Sequence, residues 1–436
     1  MPYILLRDNR QVHYLNLGWV RSPTQGKIQS KQKHCFNIMS LAQQLNLFDD
    51  ARLTQQEAVS LTTEYLSEYF RNYRHVAIAF SGGKDSSATV STVIHLIESG
   101  KVPKPEKLTV VYADTRQELP PLHFSAMAML EEVRKRGFDT KIAVAPIDKR
   151  FLVYILGRGV PPPNNGTLRW CTRQIKVDPM MKALDEQIQN LPEGERLLML
   201  TGVRLGESAV RDRRIYTSCS KDGGECGQGW FQSSTYDRTD TFAPIIHWRV
   251  CHVWEWLITG EIEHGFPTMA VAEAYGGDEN LEVSARTGCI GCPLTQEDLA
   301  LNRVIAMPQW SYLAPLKKLK PIYQEMREFQ HRLQKDGSER KKDGSLVKNP
   351  GRKGPLKLAS RLMFLDRILG IQFEVNAGAR SLGRPIINLI NEEEEQRIRE
   401  LIASRTFPDK WTGDEPGGEE LLPEVYPSGI IQPLLW

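Results

Sequence analysis

The hexapeptide SGGKDS, residues 81–86, combines residue types that bind phosphate groups. Its two glycines let the backbone approach an anion, and free N–H groups at the start of a following helix, with the helix dipole, would face that anion. Lys84 adds a positive charge. The segment lacks the longer GxxxxGK[ST] spacing, so γ-phosphate chemistry is not implied, and a tight turn without a ligand is the alternative. We expect phosphates to be positioned by Ser81, Gly82, Gly83, Asp85 and Ser86.

Two further segments, RWCTRQIKVDP and GVRLGESAVRDRR, concentrate arginine and lysine. RWCTRQIKVDP places several positive charges around a predicted helix start, and a bound anion would compensate them. The alternative is a basic turn exposed to solvent. The second follows a predicted strand and adds two arginines at the same sheet edge. Together with SGGKDS they predict a single polyanion pocket. The basic residues concerned are Arg169, Arg173, Lys176, Arg204 and Arg211.

Alternating strand and helix patterns predict the elements that hold these segments. The expected strands are residues 75–80, 107–113, 141–145 and 196–203, with helices from residue 86, over 122–136 and over 177–189. This alternation is typical of βαβ units, so we predict an α/β fold with a twisted parallel sheet and helices on both faces. Ligands bind at the carboxyl ends of such strands. Asp114 lies there and can contact a ribose or Mg²⁺ or cap a helix; both interpretations stay open.

Four of the seven cysteines fall into two close sets. CSKDGGEC contains Cys219 and Cys226, and CIGC contains Cys289 and Cys292. Four thiolates in two short turns suit a tetrahedral Zn²⁺ or a [4Fe–4S] cluster, and unliganded cysteines are the alternative. Cys171 lies between Arg169 and Arg173, so a lowered pKa is expected, with a role in persulfide relay or in completing a cluster. A packed core thiol is the alternative for Cys171.

Composition and charge indicate whether the protein is soluble and whether it binds membranes or nucleic acids. The chain has 436 residues, 25% charged and 41% hydrophobic, and a net charge of +3, which is too small to indicate nucleic-acid binding by itself. No apolar stretch approaches the length of a membrane span, and the N-terminus lacks the pattern of a secretory signal. We therefore expect a soluble, cytoplasmic protein without a membrane partner.

The length predicts two or three domains. We expect an N-terminal segment with a helix at 1–73, the nucleotide domain with its four-cysteine site at 74–295, and a helical, basic C-terminal region at 296–436. Within the last, residues 331–357 carry nine Lys and Arg against three Asp and Glu and several glycines, which predicts a flexible basic loop.

The motifs, in their order, resemble a known family. SGGKDS, YADTRQELP, RWCTRQIKVDP and GVRLGESAVRDRR resemble the phosphoadenylylsulfate reductase-like superfamily of adenine nucleotide α-hydrolases, in which the SGG-x-DS loop is a PP-loop. With PIIHWRVCHVWEWL, TGCIGCPL and GPLKLASRLMFLDRILGIQ added, the chain is similar to the DndC/SspD family of DNA sulfur-modification proteins from about residue 70 to 375.

This resemblance implies an ATP pyrophosphatase and sulfurtransferase that modifies DNA together with a cysteine desulfurase and other phosphorothioation subunits. Attack on the α-phosphorus of ATP would adenylate a backbone oxygen, which sulfur then displaces, while Mg²⁺ and basic side chains neutralise the phosphates. The family carries a [4Fe–4S] site around the segment that corresponds to CIGC, which favours iron–sulfur over zinc. The residues expected to be catalytic are Lys84, Asp85, Cys171, Arg173, Lys176 and Arg204.

Two other functions stay open. A phosphoadenylylsulfate or adenylylsulfate reductase would use a C-terminal redox cysteine, whereas this sequence has none after Cys292. A nucleic-acid binding module with a structural zinc and a degenerate nucleotide fold is compatible with the basic segment, but the intact SGGKDS loop disfavours it.

Overall fold

The computed structural model describes residues 6–8, 11–13, 53–165, 168–206, 231–233, 238–275, 288–335, 340, 343–345 and 353–418. The chain divides into two compact units, Met1–Arg52 and Leu53–Trp436. In the first unit, strands β1 (Leu6–Asp8) and β2 (Gln11–His13) pair antiparallel. Within the described ranges, no helix has both the length and the apolar character needed to cross a bilayer.

The second unit is built on a six-stranded sheet. Its strands are β3 (His75–Phe80), β4 (Lys107–Asp114), β5 (Asp139–Val144), β6 (Leu197–Leu200), β7 (Phe231–Ser233) and β8 (Thr239–Phe242). The strand order is β5-β4-β3-β6-β8-β7; the first five strands are parallel, and β7 runs antiparallel to β8 at one edge. The predicted α/β fold with a parallel sheet is confirmed.

The described helices of this unit are α1 (Gln55–Asn72), α2 (Lys84–Glu98), α3 (Pro120–Lys135), α4 (Asp178–Gln189), α5 (Val250–His264), α6 (Met269–Ala274), α7 (Leu299–Ala306), α8 (Leu319–Glu325), α9 (Leu358–Ser381) and α10 (Glu392–Ala403). α1 starts at a capping box in which Glu57 N–H donates to Thr54 Oγ1 at 3.2 Å. α10 starts at a second one, formed by Asn391 and Glu394. Both helix starts agree with their sequence patterns.

Helices cover both faces of the sheet. α4 packs Ala183 and Leu184 against Ala77 and Val111 on one face. On the other face, α2 is buried nearly all round, because it lies between the sheet and α5, and Trp256 Nε1 on α5 donates to Ser91 Oγ on α2 at 2.9 Å. The hydrophobic core then continues through the C-terminal helices as far as α10. The domain boundaries expected near residues 73 and 295 stay a prediction.

The basic segment 331–357 differs from its prediction as a flexible loop. Its two ends form strands β9 (Arg332–Gln334) and β10 (Lys353–Leu356), which pair antiparallel. Leu333 and Leu356 are buried, so apolar contacts hold both strands against the core. The prediction is therefore wrong at both ends of the segment, whereas residues 336–339, 341–342 and 346–352 lie outside the described ranges.

The chain reverses direction across the sheet between the neighbouring strands β3 and β6. Such a switch point opens a crevice at the carboxyl ends of the strands, and SGGKDS follows β3 there. Gly202, just after β6, approaches the same loop so closely that an added Cβ would lie 2.9 Å from the backbone N of Ser86 and the backbone C of Asp85. Only glycine fits this contact, because backbone atoms in the first turn of α2 cannot move aside independently.

We predict that Gly202→Ala distorts the first turn of α2. The forced contact should lower the free energy of unfolding by about 1–3 kcal/mol and weaken ATP binding. Gly370→Ala is the control, because Gly370 is exposed on α9 with open space at its Cβ, and alanine there should be neutral or stabilising by about 0.5–1 kcal/mol. Urea unfolding and ATP titration of both variants check this; equal behaviour would contradict the close approach.

Candidate active site

The SGGKDS loop is held in shape by its own serine. Ser86 Oγ donates to Gly83 O at 3.0 Å and accepts from the N–H of Ser81 at 3.2 Å. Gly82 has a φ of +73°, and an added Cβ would lie 3.0 Å from Cβ of Ala126, so this position requires glycine. Gly83 is the N-cap of α2 and makes no side-chain capping hydrogen bond. The N-cap residue therefore satisfies none of the first N–H groups of α2 with a side chain.

A buried ion pair joins this loop to the end of β6. Arg204 Nε donates to Asp85 Oδ1 at 2.5 Å, Arg204 Nη1 donates to Trp248 O at 3.4 Å, and Arg204 is only 4% exposed. Lys84 Nζ lies 3.4 Å from the other oxygen of Asp85. The structure thus brings together Lys84, Asp85 and Arg204, three of the residues expected to be catalytic, with Asp85 as the anion shared by the two cations.

Tyr275 also contacts the loop, which the sequence did not indicate. Its hydroxyl accepts from the N–H of Lys84 at 3.3 Å, and Lys84 Nζ lies 5.1 Å from the centre of its ring. The tyrosine is 7% exposed. A residue 191 positions away along the chain could not have been connected with the loop by any local pattern.

Asp114 is the last residue of β4 and is almost fully buried. Its Oδ1 accepts from the N–H of Arg116 at 2.9 Å, and Arg116 holds a φ of +60°. The Arg116 guanidinium contacts Glu394 at the start of α10 through two hydrogen bonds of 3.3 Å. These three residues organise the turn after β4, and a cavity of about 110 Å³ opens beside Asp114.

Glu118 lines the same cavity. Burial raises the pKa of this carboxyl, and the neighbouring Asp114 adds to the effect. Thr115 Oγ1 donates to Glu118 Oε1 at 2.6 Å. No sequence pattern marked Glu118, because its burial depends on the packing of the turn and not on its neighbours along the chain.

The RWCTRQIKVDP segment forms a π-helical turn (Arg173–Val177) that leads into α4 and contacts β4. The Arg173 side chain is 86% exposed and pairs with Asp178 at 3.3 Å. Lys176 and Arg169 are exposed as well. Among the described contacts, no hydrogen bond or ion pair joins Arg173 or Lys176 to SGGKDS. Their part in phosphate binding stays a prediction.

Cys289 and Cys292 bracket a tight turn. Cys292 N–H donates to Cys289 O at 3.2 Å, and Gly291 takes a φ of +60°. Ile290 N–H donates to Gln117 O at 2.8 Å, which fixes the thiol turn to the loop after β4. The turn and the end of β4 therefore share one edge of the sheet.

Burial is the main influence on the pKa values of the Cys289 and Cys171 thiols. It raises the pKa of Cys289 to about 12, and the neighbouring Cys292, Glu118 and Cys171 add to this, whereas Lys176 opposes it. The pKa of Cys171 is also raised by burial, so the expectation of a lowered pKa is wrong. The reason is that Cys171 packs against the hydrophobic core, while the Arg173 side chain points into solvent. Cys171 and the CIGC turn are close enough to influence each other.

Three predicted site residues, Arg211, Cys219 and Cys226, lie outside the described ranges. Within those ranges, no group of three or more His, Cys, Asp or Glu side chains is arranged to hold a metal ion. Two thiols, those of Cys289 and Cys292, lie in one turn, and Cys171 is near enough to affect the pKa of Cys289. Sulfur donors of this kind fit zinc or an iron–sulfur cluster.

Comparisons with known proteins agree with this fold. Residues 75–265 match the model of the phosphoadenosine phosphosulfate reductase domain. Two uncharacterized proteins of Methanocaldococcus jannaschii are 25% and 26% identical to the chain over 55% and 53% of its length, and the matches cover 46% and 40% of those proteins. The chain thus spans less than half the length of these relatives.

Two solved structures show weaker likeness. The phosphoadenylyl-sulfate reductase of Candida auris, in its phosphate complex, is 12% identical over 48% of this chain and 87% of its own, with a TM-score of 0.30. The U34-tRNA thiolase of Methanococcus maripaludis, with its [4Fe–4S] cluster, is 13% identical over 62% of this chain and 79% of its own, with a TM-score of 0.29.

The matched residues begin at β3 and end just after α5, so they include the SGGKDS loop, the switch point and Arg204. This part of the chain is therefore similar to the phosphoadenosine phosphosulfate reductase domain.

Proposed function

We propose that this protein is an ATP pyrophosphatase that activates the DNA backbone by adenylation for sulfur insertion. One observation carries the proposal: the backbone hydrogen bond from Ile290 to Gln117 fixes a thiol turn to the sheet edge that holds the phosphate loop. This placement supports nucleotide activation and sulfur chemistry at the same end of the sheet. The similarity of the motifs to DNA sulfur-modification proteins supports DNA as the acceptor, with a cysteine desulfurase as the partner.

The first step is transfer of AMP. A non-bridging oxygen of the DNA backbone attacks the α-phosphorus of ATP, an O–P bond forms, and the bond to the β-phosphate breaks, releasing pyrophosphate. Lys84 and the N–H groups at the start of α2 stabilise the negative charge that the leaving group gains. Arg173 and Lys176 would add positive charge for the phosphates, and a bound Mg²⁺, for which Asp114 is the candidate ligand, would supply further charge neutralisation. Arg204 holds Asp85 and the loop in position.

The second step is displacement of AMP by sulfur. The desulfurase provides a persulfide, and a thiol reductant releases its terminal sulfur as hydrosulfide. Hydrosulfide attacks the backbone phosphorus, a P–S bond forms, and AMP leaves with the original oxygen while the sulfur proton passes to solvent. No electrons are exchanged in this displacement, because the reductant has already brought the sulfur to the sulfide level.

A [4Fe–4S] cluster is the proposed cofactor, held by Cys289 and Cys292 with thiols from Cys171, Cys219 or Cys226. The partly buried turn, with Lys320 Nζ donating to Cys292 O at 3.2 Å, offers a rigid pair of sulfur donors. When bound, such a cluster supplies a site that accepts sulfur or electrons. Zinc is the alternative occupant of the same thiols.

Reconstitution tests the proposed function. Protein, Mg²⁺, ATP, DNA, a cysteine desulfurase and cysteine should yield P–S linkages, detected by mass spectrometry after nuclease digestion. Lys84→Ala should lower the yield about 100-fold or more, because a charge that stabilises the leaving pyrophosphate is gone. Lys104→Ala is the control and should leave the yield unchanged, because Lys104 stacks on Phe138 away from the loop. Thiol-dependent release of sulfite from phosphoadenylylsulfate, without P–S linkages, would show a reductase instead.

Cysteine variants test the cofactor. Anaerobically purified protein should be brown, with a broad band at about 400 nm. Cys289→Ser and Cys292→Ser should each lose most of the bound iron, and Cys171→Ser should lose it too if this thiol completes the set. Cys251→Ser is the control, since Cys251 is exposed on α5. Colourless protein with one equivalent of zinc would contradict the cluster, and unchanged iron in Cys289→Ser would contradict the ligand set.

A further inference from the structure

The hydroxyl of Tyr275 lies where a phosphate oxygen would have to lie. It accepts a hydrogen bond from the N–H of Lys84, the first residue of α2, at 3.3 Å. An added Cβ at Gly83 would lie 3.2 Å from this hydroxyl, so the oxygen lies directly against Gly83 of the loop. A phosphate oxygen bonded to the same N–H would lie about 2.9 Å from the nitrogen. Two oxygens cannot occupy that volume together.

The contacts around Tyr275 hold the ring in this position. Its N–H donates to Ala272 O at 3.0 Å, and its ring meets the ring of Trp254 edge-on with centroids 5.3 Å apart. Lys84 Nζ lies 5.1 Å from its ring centre. The ring thus stays near the loop even if the hydroxyl is removed, because packing and the Lys84 cation do not depend on the oxygen.

We infer that the Tyr275 hydroxyl competes with a phosphate oxygen for the N–H of Lys84 and thereby lowers the nucleotide affinity of the site. The hydroxyl must leave the Lys84 amide before a phosphate binds there. This inference rests on the proposed function, since it presumes that the loop binds the phosphates of a nucleotide. The hydrogen bond satisfies the N–H of Lys84 while no nucleotide is bound. When a phosphate binds, this hydrogen bond is lost, and the free energy of binding becomes less favourable by the same amount.

Tyr275→Phe isolates the hydroxyl. The variant should bind both α,β-methylene-ATP with Mg²⁺ and inorganic pyrophosphate about two- to tenfold more tightly than the wild type, because one hydrogen bond no longer has to break. Pyrophosphate separates this effect from contacts to the base or the sugar. Tyr312→Phe is the matched control, since the Tyr312 hydroxyl is buried without a hydrogen-bond partner. Isothermal titration calorimetry gives the dissociation constants.

Equal affinity of wild type and Tyr275→Phe would overturn the inference, and weaker binding by the variant would show that the hydroxyl donates to the phosphate. If neither α,β-methylene-ATP nor pyrophosphate binds either protein, both the inference and the proposed function are wrong. This result differs from equal affinity, which contradicts the inference alone. Should the variant not fold, the wild type still decides: pyrophosphate must change Trp254 fluorescence, and Trp254→Phe must abolish that change. An unchanged spectrum of the wild type on binding would overturn the inference.

Discussion

The site depends on the join between the phosphate loop and the end of β6. Asp85 and Arg204 form an ion pair that is largely withdrawn from water, and Gly202 lets the two backbones touch. A buried charge without its partner is costly, so this pair admits few alternative arrangements. The parallel pairing of β3 with β6 places both residues at the switch point, and the carbonyl of Trp248 ties the arginine to the segment before α5. The ion pair and the close backbone contact thereby fix the loop on its β6 side, while Tyr275 contacts it at Gly83 and Lys84.

Burial explains the chemistry of the thiols better than neighbouring charges do. The pKa of Cys289 rises to about 12, so the free thiol carries its proton at neutral pH. A metal or cluster must displace this proton, and binding therefore becomes stronger as the pH rises toward that value. Lys176 favours the thiolate, whereas Glu118 and the other two thiols oppose it. The proposed cluster would supply the positive charge that compensates the thiolates of Cys289 and Cys292.

Local features of the site could be predicted from the sequence, and long-range ones could not. SGGKDS between a buried strand and a helix is a local pattern, and it appears where predicted. The four-residue strand β8 was not predicted, because TDTF is too short and too polar for an alternating apolar pattern to be recognised. The pKa of Cys171 was expected to fall, since the sequence shows its arginine neighbours but not its burial. The contact of Arg116 with Glu394 spans 278 residues and leaves no trace in any local pattern.

The central claim is that the loop presents the α-phosphorus of ATP to an attacking oxygen, and the position of that attack can be measured directly. Without DNA, water is the acceptor, so slow ATP cleavage in oxygen-18 water marks the phosphorus that is attacked. Mass spectrometry of the products should find the label in AMP and none in pyrophosphate. Label in orthophosphate with release of ADP, or in pyrophosphate, would contradict the account.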